Sequence, residues 1–309
     1  MAMNKKVMEI VTERIINRIT TEQRLPWHQP WDFRNAPINH TTLKAYRGIN
    51  LWLLKSGHEY VTWNQLCDIQ KQNKDIKLRK GSKAHLVVYF SFKKTTKDVT
   101  DADGNTEQKE MDIPFLRYYN VYDIEDIDGI SPRRPEVSYE HNPIEEAEQI
   151  ISSYLDREKT LKLEFNDGGS AFYRPATDLI SVPSRELYKN HAEYYSTLFH
   201  EMTHSTGHAS RLNRLKSPAF FGDESYSKEE LCAELGASML CAETGIDNSE
   251  ATDNSVAYLQ GWLSALRNDA TLIVSAAGKA QKAVEFILGE TENNEKCYNC
   301  VTKTAKNAV

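Results

Sequence analysis

No apolar run in this 309-residue chain approaches the roughly 20 residues that a membrane-spanning helix requires, and mean hydropathy is low at −0.60. No membrane-spanning helix is therefore expected. Nor does the first segment read as a secretory signal. Over residues 3–19 charges alternate with Val7, Ile10, Val11, Ile15 and Ile16, so the segment lacks a continuous apolar centre and reads as an amphipathic helix. Cysteine is scarce and odd in number, five in all, which excludes a disulfide framework and suits a reducing cytoplasm. Cys297-x-x-Cys300 has no second pair to complete a zinc site and reads as incidental. No helix-turn-helix or zinc-finger spacing is present, so the commonest readers of duplex DNA are excluded.

What the chain does hold is His200-Glu201-Met202-Thr203-His204. Residues four apart share a helical face, so both imidazoles can reach one metal ion. Zinc favours tetrahedral nitrogen and oxygen ligands and acidifies a bound water. Glu201, beside that water, is placed to take its proton as general base. Tyr194, Leu198 and Met202 recur every four residues, an apolar stripe on the side opposite the histidines. Core histidines would fall on that stripe, not across from it.

A catalytic zinc site needs a third protein ligand. His208 would crowd one metal from the same helix, and Ser210 stands where a metzincin carries its third histidine. Downstream, Glu230-x-x-Ala233-Glu234 resembles the gluzincin pattern, with Glu230 as ligand and Glu234 orienting a histidine. Ser227-x-x-Glu230 is equally a capping box at a helix start, which keeps Glu229 and Glu234 open as alternatives. Gly236, Ala237 and Ser238 would let this second helix pack closely on the first. Cys232 reads as core. Phe172, Tyr173, Leu179 and Ile180 flank a Pro175 turn and are either a substrate-holding edge or a core face. Tyr226, close to Glu230 in sequence, is a candidate oxyanion donor.

Charge divides the chain. Residues 1–97 carry 18 Lys+Arg against 7 Asp+Glu, a net of +11, and the remainder carries 20 against 37, a net of −17, which together give the total of −6. A basic first third calls for an anionic partner, nucleic acid before acidic lipid. Four of the five tryptophans lie before residue 64. Trp27, Trp31, Tyr46 and Trp63, with Arg47 between them, match the mixture of rings and cations that holds single-stranded nucleic acid. Trp52, amid Leu51, Leu53 and Leu54, reads as core. Lys77, Arg79, Lys80 and Lys83 form a basic turn suited to phosphate.

The expected fold is α+β in two parts: residues 1–128, a linker over 129–143 containing Pro132, Pro135 and Pro143, and a second domain over 144–290. Residues 291–309 read as a loose tail. Helices are expected over 50–55, 64–71, 144–157, 258–266 and 270–288, the last with Gly289 as C-cap. Strands are expected over 84–94 and 113–121, joined by an acidic loop across 98–110.

Taken together, Pro26-Trp27-x-x-Pro30-Trp31, Ala45-Tyr46-Arg47-Gly48-Ile49-Asn50, Trp63-Asn64-Gln65, Arg79-Lys80-Gly81, Tyr119-Asn120-Val121-Tyr122, Phe172-Tyr173-x-Pro175, the paired-histidine run with Thr206-Gly207-His208 and Ser210-Arg211-Leu212, and residues 229–236 make a specific combination. The chain resembles the ArdC-type antirestriction proteins of conjugative plasmids and mobile elements over about residues 5–290. The resemblance implies an N-terminal domain that binds single-stranded DNA, a zincin-like metallopeptidase domain, and protection of incoming plasmid DNA from host restriction. It names no protein substrate. Two functions follow, an active zinc peptidase carried to its target by DNA and a DNA-coating shield whose metal site is structural or vestigial. A free-standing processing protease whose basic part binds acidic protein is a third.

Overall fold

Helix α1 spans Ala2–Glu22, and its Val7, Val11, Ile15 and Ile19 are all buried. Four-residue spacing gives the helix one apolar stripe, and that stripe is what it hides. The computed structural model describes residues 2–28, 36–100, 106–134, 143–167, 170–215, 224–248 and 256–290. Trp31, Cys297, Cys300 and the expected tail lie outside the described residues.

Strands β1 (Ile38–Asn39), β2 (Glu59–Thr62), β4 (His85–Thr100) and β5 (Thr106–Asp123) form a sheet in the order β1-β2-β5-β4. The β4–β5 hairpin keeps one antiparallel register from His85↔Val121 to Thr100↔Thr106. Pairing therefore runs through most of the expected 98–110 loop. Threonine and valine at positions 95, 96, 99 and 100 favour extended backbone, and a polar strand escapes a reading keyed to apolar runs. Helix α2 (Asn50–Leu53) is a single turn that buries Leu51 and Trp52. Helix α3 (Trp63–Gln72) starts on a capping box, with Thr62 accepting from the Gln65 N–H and Gln65 from the Thr62 N–H. Strand β3 (Lys77–Leu78) pairs with β6 (Ile127–Asp128).

The expected linker does not hang free where it is described. The backbone N–H groups of Arg133 and Arg134 donate to Glu59 Oε1 at 2.8 and 2.6 Å. Glu59 is buried and also meets His40 Nδ1 at 2.6 Å. Beyond it come α4 (Pro143–Arg157), β7 (Lys162–Asn166), β8 (Phe172–Arg174), β9 (Leu179–Pro183), α5 (His191–Ser205), α6 (Glu224–Thr244), α7 (Val256–Asn268) and α8 (Leu272–Leu288). The second sheet has the order β7-β9-β8, with β7 parallel to β9 and β8 antiparallel at one edge. Gly289 ends α8 at φ +74°, a left-handed cap that suits a residue without Cβ.

One core crosses the 129–143 boundary. The buried stripe of α1 joins Leu198, Phe199, Leu240, Ala276 and Ala277 in a single cluster that also takes in Leu86, Val88 and Leu116 of the first sheet. The two halves of the sequence are thus distinct in charge but continuous in packing.

Candidate metal centre

Asn190 caps α5 by accepting from the Glu193 N–H at 2.8 Å. The helix buries Tyr194, Leu198 and Met202, which turns His200 and His204 toward α6. Their Nε2 atoms lie 3.1 Å apart. Glu230 closes the group, with Oε2 3.6 Å from His200 Nε2 and Oε1 3.4 Å from His204 Nε2. A tetrahedral ion with bonds of about 2.0–2.1 Å holds its donors about 3.3–3.4 Å apart, so these three donors fit one such ion and leave a fourth position.

Helix α6 reaches this close because of Gly236. A Cβ there would lie 2.5 and 2.6 Å from Cγ2 and Oγ1 of Thr203 on α5, closer than atoms pack, so only glycine fits. Ser227 lies inside α6, three residues after its described start, which removes the capping-box alternative for Glu230. The side chain of Tyr226 lies outside the described set.

Glu229, not Glu234, faces a histidine from behind. Its Oε1 lies 3.4 Å from His204 Nδ1, and Arg214 grips the same carboxylate through Nη2 at 2.8 Å and Nε at 3.2 Å. Glu234 is turned elsewhere: it accepts from Trp27 Nε1 at 2.9 Å and from the Tyr258 hydroxyl. Burial presses the His204 pKa down, but contacts with Glu229 and Glu230 and the charge of Glu201 raise it to about 10. Glu201 is 6% exposed, yet makes no hydrogen bond or ion pair among the described residues. His208 is in the turn after α5, where Ser210 Oγ meets its Nδ1 at 2.8 Å.

Two arginines that the sequence did not single out for the site fasten the turn after α5. Arg211, its side chain fully enclosed, donates to Ser205 O at 2.7 Å and to Asp178 Oδ2 at 3.0 Å. Burial raises the Asp178 carboxyl, but bonds from Arg211, Tyr173 and Thr160 outweigh it and hold the pKa at about 2. Arg214 joins Glu229 to Thr206 Oγ1 and Thr203 O. Nothing in their spacing marks either one, since their acidic partners, Asp178 and Glu229, lie 33 and 15 residues away. Of the Pro175 flanks, Ile180 is core, while Tyr173 binds Asp178 and lies on edge strand β8.

The residues expected to meet DNA divide between core and surface among those described. Trp27 is wholly buried, edge-on to Trp262, with its indole bonded to Glu234; it has no free face on which a base could stack. Arg47 reaches across to Glu285 at 3.1 Å. Arg79 faces Asp126 and Asp128 at 3.6 and 3.8 Å. Tyr46 is half-buried against Tyr60, and burial raises its phenol pKa. Trp63 is exposed, as are Lys77, Lys80 and Lys83. Trp52 is core.

Comparison with known proteins fits both halves. A family model for the N-terminal domain of the anti-restriction factor ArdC matches residues 5–122, and one for a zincin-like metallopeptidase matches residues 146–279. Uncharacterized protein y4eC of Sinorhizobium fredii is 33% identical and covers 94% of this chain, which spans 94% of that protein. DNA primase TraC of Escherichia coli is also 33% identical over 92% of this chain, which spans only 20% of its length. The crystal structure of antirestriction ArdC from the R388 plasmid, in its Mn(II)-bound form, is 31% identical with a TM-score of 0.66, covering 93% of this chain and 98% of that one. Its metal-free form gives 32% and 0.65, with 91% and 96% covered. An ArdC N-terminal domain, a zincin-like domain behind it, and a relative of known structure matched almost end to end place this chain in the ArdC-type antirestriction family.

Proposed function

We propose that this chain binds single-stranded DNA through its basic first third and cleaves a protein substrate at a zinc centre in its second half, acting in the cytoplasm to protect incoming mobile-element DNA from restriction. The observation that carries the peptidase half is Glu201, a buried carboxylate one position from His200 that makes no hydrogen bond or ion pair among the described residues while its charge acts on His204. A buried charge is costly to leave unpaired, and a structural metal site has no use for one. His200, His204 and Glu230 would hold the zinc, which supplies Lewis acidity and acidifies a bound water when present. Glu201 takes the proton from the attacking water and returns it to the leaving amine. Glu229 and Arg214 fix the plane of the His204 ring. The outer edge of β8, which pairs with no further strand among the described residues, offers backbone donors and acceptors to an extended peptide.

A second reading, a DNA-coating shield whose metal site is structural, is favoured by the +11 charge of residues 1–97, because coating needs no protein substrate. Glu201→Gln separates the two. It should retain metal and oligonucleotide binding while losing roughly 10²–10⁴-fold in peptide cleavage. Loss of protection in a restriction assay with this variant supports proteolysis as the carrier. Full protection supports the shield.

A further inference from the structure

On the reading that this chain binds single-stranded DNA, we propose that bases stack on a platform made of Trp63, Tyr118 and Tyr122, with the strand's phosphates following Lys77, Lys80 and Lys83. Alternate residues of a strand share a face about 7 Å apart, so Leu116, Tyr118, Asn120 and Tyr122 line one side of β5. Both ends of that row are covered. Leu116 is buried with Leu86 and Val88 in the core that includes the α1 stripe. Tyr122 packs with Ile69 of α3 and Leu78 of β3 on the small core of Val61, Leu66, Ile76, Ile124 and Ile127. Between them Tyr118 is 47% exposed and Asn120 is open. Trp63 begins α3 beside this row, 52% exposed and tilted against Tyr122 with ring centroids 5.7 Å apart.

A tryptophan and a tyrosine left half in water on one surface forgo burial that the fold could have used, which marks a site for a partner. Unpaired bases are the partner whose flat apolar faces match flat rings. Charge completes the match. Leu78 seats β3 on the same small core as Tyr122, which brings the strand carrying Lys77 and the turn carrying Lys80 to this part of the molecule. Lys77, Lys80 and Lys83 are exposed and have no ion partner among the described residues, unlike Arg79 with its two aspartates. Tyr119, also exposed, points to the opposite face of β5 and belongs to no part of this row.

The test is fluorescence anisotropy of a labelled oligothymidylate with the full-length protein. Trp63→Ala and Tyr118→Ala should each weaken binding by roughly tenfold, the scale of one lost base stack, while Trp63→Phe and Tyr118→Phe keep most of it. Tyr119→Ala should bind as wild type. Lys80→Ala should lower the slope of log affinity against log salt by about 0.7, the single-strand value for one phosphate contact. Unchanged metal content in each variant shows that the fold is intact. If wild type does not bind the oligonucleotide, the DNA reading falls and the platform with it. If wild type binds and the alanine variants match it, or Tyr119→Ala is equally weakened, the platform alone is wrong. A wild-type dimer that dissociates in Trp63→Ala with DNA affinity unchanged would assign this face to a second copy of the chain and overturn the proposal.

Discussion

Glu229 Oε1 lies 3.4 Å from His204 Nδ1, on the far side of the ring from the Nε2 that faces His200. A carboxylate in that position orients the imidazole and raises its basicity toward a metal without touching the metal itself. Glu229→Gln should therefore weaken zinc affinity by roughly 10–100-fold and leave one zinc per chain at saturation. Competition with a chromophoric chelator measures this. A variant unable to bind zinc at any concentration would make Glu229 a ligand.

Glu230→Ala should do more, abolishing stoichiometric zinc under conditions that saturate wild type, because a lost ligand opens the tetrahedron. Zinc at about a thousand times its dissociation constant should stabilise wild type by about 4 kcal/mol. The same addition should leave the melting temperature of Glu230→Ala unmoved. An equal rise in both proteins would remove Glu230 from the site.

At the α5–α6 crossing, Gly236→Ala would drive a methyl into Thr203. Overpacking of this kind costs about 1–3 kcal/mol, against a helix-propensity gain of about 1 kcal/mol. Lower stability and weaker zinc binding are expected together, since the crossing positions Glu230. Thr203→Ala in the same chain should restore part of both, and strictly additive losses in a double-mutant cycle would show that the contact is not what couples them.

Asp178 gives the fold a pH dependence in the acid range. Its pKa is about 2 in the folded chain against 3.8 for the free group, so its ionised form stabilises the fold by about 2 kcal/mol above pH 4. That stabilisation fades as pH falls from about 4 to about 2. Asp178→Asn should cost about 3–5 kcal/mol at neutral pH by leaving the enclosed Arg211 underpaired. Urea denaturation should show the gap from wild type narrowing over that acid interval. A gap constant with pH would mean that Asp178 acts through shape and not charge.

Local spacing was enough for much of this protein. The stripe of α1, the Tyr194–Leu198–Met202 face with the histidines opposite, and the C-cap at Gly289 all follow from interactions a few residues long. The sequence also pointed to close packing at Gly236, Ala237 and Ser238, because small side chains let two helices approach. What spacing could not decide was which acid on α6 meets the metal site. Successive residues on a helix point about 100° apart, so Glu229 and Glu230 face different directions, while Glu234 shares the Glu230 face one turn on. Only the place and rotation at which α6 crosses α5, set where Gly236 meets Thr203, puts Glu230 between the histidines, Glu229 behind one of them, and Glu234 beneath Trp27. The aromatic residues carry the same lesson. Composition counts Trp27 and Trp63 alike, but the packing of Trp27 on Trp262 and Glu234 closes one ring into the core, while the first turn of α3 leaves the other in water. Contacts between residues some two hundred positions apart decide burial, and no window along the chain contains both partners.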